Sequence, residues 1–343
     1  TGKRQVSVTG ADGETVLDVP KIILATGSEP ARPGAFPFDG EKVITSDEAL
    51  RWQQPPASLL IVGGGATGCE FASAMSDFGV EVHIVEMLPQ LLPFADPDIA
   101  LDLQRAFKKR GIKTHTSTKI ESMTAAQNVV ADLGDQQIEA EVALVCAGRK
   151  MNTGGLGLEE LGIEMEDSSI QINDHCQTSQ ESIYAIGDIT GKVLLAHVAS
   201  RQGTVAAEHA MGANTSMDYA AIPGCVFTDP EVAFAGMTRE AAEAEGRNVK
   251  EAKFPFQMLG KSQVVGELTG FLKMIGDAQT NQVLGVHIIG PHATELIGEG
   301  VLAIRLEATV EDLAETVHAH PTFSEAYLEA AELYLGHPIH GRG

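Results

Sequence analysis

His320, Pro321 and Glu325 lie together in the stretch HAHPTFSEAY near the C-terminus. An imidazole of ordinary pKa near 6.5 can take a proton and return it at neutral pH. Pro321 restricts the backbone beside it, and the carboxylate five residues on is close enough in sequence to orient the ring. The pattern suits proton transfer, and a pair of thiols is its natural partner. Yet the four cysteines, Cys69, Cys146, Cys176 and Cys225, stand far apart and form no CxxC or similar pair. They indicate neither a zinc site nor a disulfide framework, and each reads as a small buried hydrophobe. Glu325 has a second reading, because Thr322 to Glu325 is the T-x-x-E of a capping box ahead of the helical run AYLEAAELYL. On the residues alone both roles stay open. His318 and His320 as a metal pair lack an accompanying acidic or cysteine cluster, so no metal is expected.

A second chemical element is the run LLIVGGGATGCE, which sets Gly63, Gly65 and Gly68 in G-x-G-x-x-G register behind a strand. In such a loop the first glycine makes the sharp turn, the second lets a pyrophosphate approach the backbone, and the third lets helix and strand pack closely. The helix N-terminus then offers unpaired N–H groups to the phosphates. Glu86 ends the next strand 23 residues after Gly63, where an acid accepts hydrogen bonds from the ribose hydroxyls. It would repel a 2′-phosphate by about 4 kcal/mol per charge pair at about 4 Å. No arginine follows it closely, so NAD is expected rather than NADP.

The elements that must carry these residues read as α/β. A chain of 343 residues exceeds one ordinary core, so two or three domains are expected. With 43% hydrophobic residues and 36 glycines the composition is globular, and the net charge of -23 disfavours a phosphate backbone as partner. No apolar run approaches the roughly 18 residues of a membrane span, and no basic, apolar leader opens the chain. Scattered cysteines fit a reducing cytoplasm. TGKRQVSVTGADGETVLDV starts at once as β-structure, with Val6 and Val8 leading to a turn at Asp12-Gly13 and a strand from Thr15 to Val19. A buried strand, Ile22 to Ala25, follows. SEPARPGAFPFDG reads as a linker. Next come a strand (Leu59–Val62), a helix (Thr67–Phe78) and a strand (Val80–Val85), a right-handed parallel βαβ. An amphipathic helix is expected over Pro97–Arg110. Beyond Tyr219, VFTDPEVAFAG, GELTGFLKMIG and QVLGVHIIG read as an antiparallel sheet, closed by helices near Glu295–Leu306 and Glu325–Leu335.

Taken together, the glycine loop, SIYAIGDI and HAHPTFSE resemble the flavin-dependent pyridine-nucleotide disulfide oxidoreductases, nearest to the members that oxidise dihydrolipoamide. The resemblance runs from Ile22 to beyond Tyr334. It implies Rossmann-like three-layer FAD/NAD(P)-binding domains with a C-terminal α+β dimerisation domain. The implied bounds are 1–34 (FAD-binding), 35–151 (NAD-binding), 152–218 (second part of the FAD-binding domain) and 219–343 (dimerisation).

By resemblance, Gly27 lies at the returning edge of the FAD domain, Asp188 binds the ribityl chain, and the backbone of Ala196 lies against the flavin ring. His197, in the same segment, reads as a packing residue. Gly148 and Arg149 match the loop closing over the nicotinamide dinucleotide, Gly148 on the NAD side and Arg149 on the FAD side. Met151 stands there where members usually carry proline. Glu70 matches a glutamate near the nicotinamide.

His320 then takes a proton from a dithiol, whose thiols, with pKa near 8.5, are mostly protonated at neutral pH, and Glu325 orients it. Implied partners are a second copy of the chain, a lipoyl domain or small disulfide substrate, and a 2-oxoacid dehydrogenase complex. Members also carry a first glycine loop for FAD and a C-x4-C redox pair near their N-terminus, and are longer by roughly a hundred residues. The expectation is that these precede Thr1 and that the isolated chain is inactive. Alternatives are another disulfide reductase, a mercuric-reductase-like enzyme, a soluble transhydrogenase, or a non-catalytic NAD-binding dimer module.

Overall fold

The computed structural model describes residues 4–341; the first three residues of the expected N-terminal β-structure lie outside them. The chain divides into two compact units. One comprises Thr1–Ala31 and Gly148–Tyr219, the other Arg32–Ala147 and Ala220–Gly343.

In the first unit, β1 (Gln5–Gly10) and β2 (Gly13–Asp18) form the antiparallel hairpin. Its register pairs Gly10 with Gly13, so the turn is Ala11-Asp12, one residue earlier than expected. Gly13, at φ +110, starts the return strand where a side chain would be strained. β3 (Ile22–Leu24) is not buried as expected: Ile23 is 40% exposed. Nor is the whole of SEPARPGAFPFDG a linker, since β4 (Ser28–Pro30) opens it as a strand.

The second unit begins with a five-stranded parallel sheet. It contains β5 (Val43–Ile44), β6 (Ser58–Val62), β7 (Glu81–Val85), β8 (Lys113–His115) and, further on, β12 (Val142–Val145), in the order β5-β12-β6-β7-β8. The short α1 (Ser46–Ala49) is opened by a Thr45–Glu48 capping box. One face of the sheet is covered by α2 (Ala66–Asp77) and α3 (Pro97–Lys109), the other by the meander β9 (Ser122–Ala125), β10 (Val129–Asp132) and β11 (Gln137–Ala140). Two-sided burial is why β6 and β12 are apolar at successive positions. α3 buries Ile99, Leu103, Ala106 and Phe107, a helical stripe, with Asp96 as N-cap and Pro97 at its first position.

Back in the first unit, β13 (Arg149–Met151) pairs with β4 across a long sequence gap. β14 (Met165–Glu166) and β15 (Ser169–Ile170) form a small ladder, and β16 (Ile183–Ala185) runs parallel to β3. A 3₁₀ turn over Gly187–Thr190 leads to α4 (Ala196–Ala210), a helix with few large apolar residues.

The second unit ends in an antiparallel sheet of β17 (Gly224–Val226), β18 (Val232–Gly236), β19 (Val249–Pro255), β20 (Phe271–Asp277) and β21 (Val283–Ile289), ordered β17-β18-β21-β20-β19. The helices α5 (Arg239–Ala244), α6 (Gly260–Val265), α7 (Ala293–Arg305), α8 (Val310–Glu315) and α9 (Glu325–Leu335) accompany it. Tyr327 ties α9 to α7, donating to Leu296 O (2.9 Å) and accepting from Gly300 N (3.0 Å). A buried hydroxyl needs such partners, and they fix the helix that begins at Glu325.

Candidate functional site

Three groups of expected site residues are each brought together within one unit. The first is the glycine loop between β6 and α2. Gly63 turns at φ +108, and a Cβ there would lie 2.6 Å from Cys146 O. A Cβ on Gly68 would lie 2.0 Å from Gly63 O, so helix and loop touch backbone to backbone. Gly65 is different: nothing lies within 4 Å of its Cβ position, and it caps α2 without any side-chain bond. Open space beside a helix N-terminus without a side-chain cap fits a pyrophosphate.

Glu86, just after β7, accepts from Gly64 N (2.6 Å) with Oε2 and from Leu88 N (2.8 Å) with Oε1. These bonds lock the carboxylate at the loop, and each oxygen has a second lone pair for a ribose hydroxyl. Glu70, on α2, instead accepts from Phe227 N (2.9 Å), anchoring the helix to the residue after β17. Nearby, Ser73 Oγ accepts from Asp229 N (2.9 Å) and from Arg110 Nη1 (2.8 Å).

The second group lies at the carboxyl ends of β3 and β16. Ser28 Oγ donates to Asp188 Oδ2 (2.5 Å) and accepts from Arg149 Nε (2.5 Å), and the guanidinium lies 3.5 Å from the same carboxylate oxygen. Gly27 (φ +69) accepts from Asn152 N, and Gly148 (φ +95) accepts from Ala31 N. Gly187 (φ +71) donates to Gln202 Oε1 (2.7 Å). A fixed, charge-balanced carboxylate beside positive-φ glycines is chemistry that fits a polyol hydroxyl of FAD. Ala196 is exposed and starts α4, whose N-terminus has no side-chain cap; His197 is exposed beside it. Ser28 and Gln202 went unrecognised from the sequence. Ser28 had a weak signal, directly following Gly27, but Gln202 had none.

The third group is the histidine pair. His320 Nδ1 lies 2.9 Å from Glu325 Oε1, and Thr322 N donates to Glu325 Oε2 (2.8 Å). One carboxylate therefore holds both the ring and the backbone of the turn ahead of α9. The expected capping box is not made: α9 begins at Glu325 itself, with Ser324 as an N-cap that makes no side-chain bond, and Thr322 Oγ1 donates to Ala319 O (2.6 Å). Since the carboxylate accepts, Nδ1 carries the hydrogen and Nε2 is left with the basic lone pair. The His320 side chain is 75% exposed, which gives that nitrogen access to a reactant. Burial works to raise the Glu325 pKa, but the Thr322 N–H and His320 outweigh it and hold it below the ordinary value. The carboxylate stays charged and keeps the ring oriented.

His318 is turned elsewhere. Its Nε2 meets Glu299 Oε1 at 2.8 Å and its Nδ1 meets Thr316 O at 2.9 Å. Two acceptors favour the imidazolium, and Glu299 above all raises its pKa against the effect of burial. The raised folded value means that this stabilisation is complete below the unfolded pKa near 6.5 and is lost as pH rises through the folded one. His318→Gln should therefore lower the melting temperature below pH about 6.5, with the gap to the parent protein closing at higher pH. A constant gap would count against the ion pair.

All four cysteines are free. Burial raises every one: Cys146 to about 12, Cys176 to about 11, and Cys69 and Cys225 in the same direction. None of these four is a ready thiolate. No group of three or more metal-ligating side chains occurs among the described residues. Nor is any described helix long and apolar enough to cross a membrane.

A glycine loop between β6 and α2, a carboxylate held by Ser28 and Arg149 and a carboxylate-held histidine all occur on one α/β chain. The chain belongs to the pyridine nucleotide-disulphide oxidoreductases: that family's model matches residues 1–203, and the family's dimerisation domain matches residues 222–331. Members are oxidoreductases that use FAD and NAD(P). Among curated relatives, the dihydrolipoyl dehydrogenase of Bacillus subtilis is 42% identical over 345 residues, which cover 98% of this chain and 73% of that protein. The dihydrolipoyl dehydrogenase of Chlorobaculum parvum is 43% identical over 340 residues, 96% of this chain and 72% of its own length. LpdA from Mycobacterium tuberculosis superposes with a TM-score of 0.89 at 30% identity, over 96% of this chain and 73% of that one. The Escherichia coli flavoprotein disulfide reductase RclA shares the fold, with a TM-score of 0.87 at 24% identity, over 97% of this chain and 77% of that one.

Proposed function

We propose that the protein is an NAD-dependent dihydrolipoyl dehydrogenase, in which His320 is the acid-base residue for the dithiol and residues 63–86 hold NAD. The observation that carries this reading is the 2.9 Å His320–Glu325 pair made through Nδ1 by a side chain that is 75% exposed. FAD and NAD, when bound, supply the electron and hydride acceptors. His320 Nε2 takes the proton of a thiol and, as imidazolium, holds the thiolate by charge, while Glu325 keeps Nδ1 protonated and the ring fixed. Gly65 and the first turn of α2 receive the pyrophosphate, and Glu86 accepts from the ribose hydroxyls. Asp188, held by Ser28 and Arg149, takes the ribityl hydroxyls of FAD, with Gly27 and the backbone of Ala196 around it, and Gly148 serves NAD. Glu70 positions α2 near the nicotinamide.

On this reading residues 1–34 and 152–218 serve FAD, 35–151 serve NAD, and 219–343 form a homodimer that presents His320 to the neighbouring copy. The substrate is a lipoyl group, free or on the lipoyl domain of a 2-oxoacid dehydrogenase complex, in a reducing cytoplasm. Steady-state assays of the intact enzyme test the proposal: dihydrolipoamide should reduce NAD efficiently, and NADPH with glutathione disulfide should turn over poorly. The reverse preference would refute it. Glu86→Ala should weaken NAD by about 1–3 kcal/mol, the scale of charged hydrogen bonds. An unchanged dissociation constant would remove the ribose role.

A further inference from the structure

We infer that Lys273, on β20 of the antiparallel sheet, is a positioning residue for the dinucleotide loop, acting through the strap of residues 86–96. This deepens the proposed NAD role of residues 63–68 and rests on it.

The strap begins at Glu86, whose carboxylate holds Gly64 N and Leu88 N. Its middle closes on the loop. Leu92 N donates to Gly64 O (2.8 Å), and Leu91 packs so closely that its Cδ2 would sit 2.8 Å from a Cβ on Gly64. Both leucines are fully buried. Leu92 makes its bond from the left-handed region, at φ +47, a conformation that costs a branched residue free energy and needs its surroundings to hold it. Ala95 N and Gln90 Nε2 both donate to Leu92 O and tighten the turn.

The far end of the strap is Asp96, the N-cap of α3, and it is fully buried. Asp96 Oδ2 meets the Lys273 ammonium at 2.9 Å. Among the described residues it has no other countercharge, since its Oδ1 caps Asp98 N. Lys273, 4% exposed, also meets Asp98 Oδ2 at 3.1 Å and Glu251 Oε2 at 3.4 Å. The anchoring charge thus comes from the antiparallel sheet, while its partner ends the strap that closes on Gly64. Without the ammonium, Asp96 is a buried, uncompensated carboxylate. Its relief is to move toward water, which pulls Leu91 and Leu92 off the loop. Lys273 does not approach the loop itself, so its effect should fall on nucleotide affinity rather than on proton transfer at His320.

The test is an NADH titration of the intact protein, followed by nucleotide fluorescence well below the melting temperature. Lys273→Met should raise the NADH dissociation constant roughly 3- to 30-fold, the range of coupling carried by connected elements. The KM for NAD should rise with it while kcat stays within about twofold. Lys273→Arg should retain most of the affinity. Lys273→Met combined with Asp96→Asn should recover much of it, because asparagine still caps α3 without a stranded charge. Val283→Ala, a cavity in the neighbouring strand, controls for general destabilisation and should leave NADH binding alone. Should Lys273→Met fail to fold, Lys273→Gln is the milder variant: it removes the charge facing Asp96 but keeps a polar donor there, and it should weaken NADH in the same direction.

Unchanged affinity in the folded Lys273→Met or, in its place, Lys273→Gln overturns the inference, as does an equal loss in Val283→Ala. Glu86→Ala separates the two levels. If it weakens NADH and the Lys273 variants do not, only the positioning role fails; if Glu86→Ala is also silent, the loop is not the NAD site.

Discussion

In the intact enzyme, replacing His320 by glutamine is expected to slow dihydrolipoamide-dependent reduction of NAD by roughly a hundredfold or more, the usual contribution of a positioned base. The substitution is chosen for what it keeps. A glutamine amide can still donate toward Glu325 Oε1, now 2.9 Å from Nδ1, and Glu325 retains its bond from Thr322 N, so the turn ahead of α9 survives. What is lost is the basic lone pair at Nε2. A thiol with pKa near 8.5 would then have to ionise unaided. The rate of the variant should climb toward alkaline pH, whereas that of the parent protein is supported at neutral pH by the imidazole. Oxidation of NADH by an artificial electron acceptor asks nothing of a dithiol and should be almost untouched. Near-normal dihydrolipoamide turnover at neutral pH would end the case for His320 as base.

What could be read from the sequence was what depends on neighbours along the chain. The glycine spacing, the helix behind it and Glu86 form one local unit, and the loop, α2 and β7 lie within a residue or two of the expected bounds. α9 starts and ends where its apolar spacing placed it. The failures share a cause: the deciding partner is far away in sequence. Ser28 to Pro30 reads as linker because of the prolines that follow, yet pairing with Arg149–Met151 makes it a strand. The apolar run at Ile22 suggests burial, but among the described residues β3 pairs with β16 alone, which leaves Ile23 exposed. α4 carries mostly alanine and polar residues, too little contrast to show a face, and β19 alternates with charges that face Lys273 and solvent. The bond from Phe227 N to Glu70 and the ammonium beneath Asp96 were equally invisible, since neither depends on a local motif. The roles of Glu325 could be stated but not decided from the sequence; the carboxylate bonds both the His320 ring and Thr322 N, but α9 starts at Glu325, so the T-x-x-E pattern does not cap it.

The same loop yields the second large effect, as a contrast between two glycines. Gly68→Ala should lower NADH affinity by about a hundredfold, the scale of a displacement near 1 Å in a site that works by position. The added carbon would stand 2.0 Å from Gly63 O, and that carbonyl cannot simply retreat, because Gly63 is itself packed against Cys146 O. α2 must therefore swing away from β6, taking its N-terminus with it, and the melting temperature should fall by an amount typical of overpacking, roughly 1–3 kcal/mol of stability. Gly65→Ala makes the opposite prediction for the fold. Its backbone, at φ -75 and ψ -172, suits any residue, and its Cβ position is open. Stability should hold or rise slightly, because alanine restricts the unfolded chain. NADH binding should nevertheless drop sharply, since the methyl group occupies the space through which the pyrophosphate meets the backbone. Melting curves and NADH titrations on the two variants separate the roles. A Gly65→Ala protein that melts normally and binds NADH normally would show that the open face between β6 and α2 is not where the dinucleotide lies.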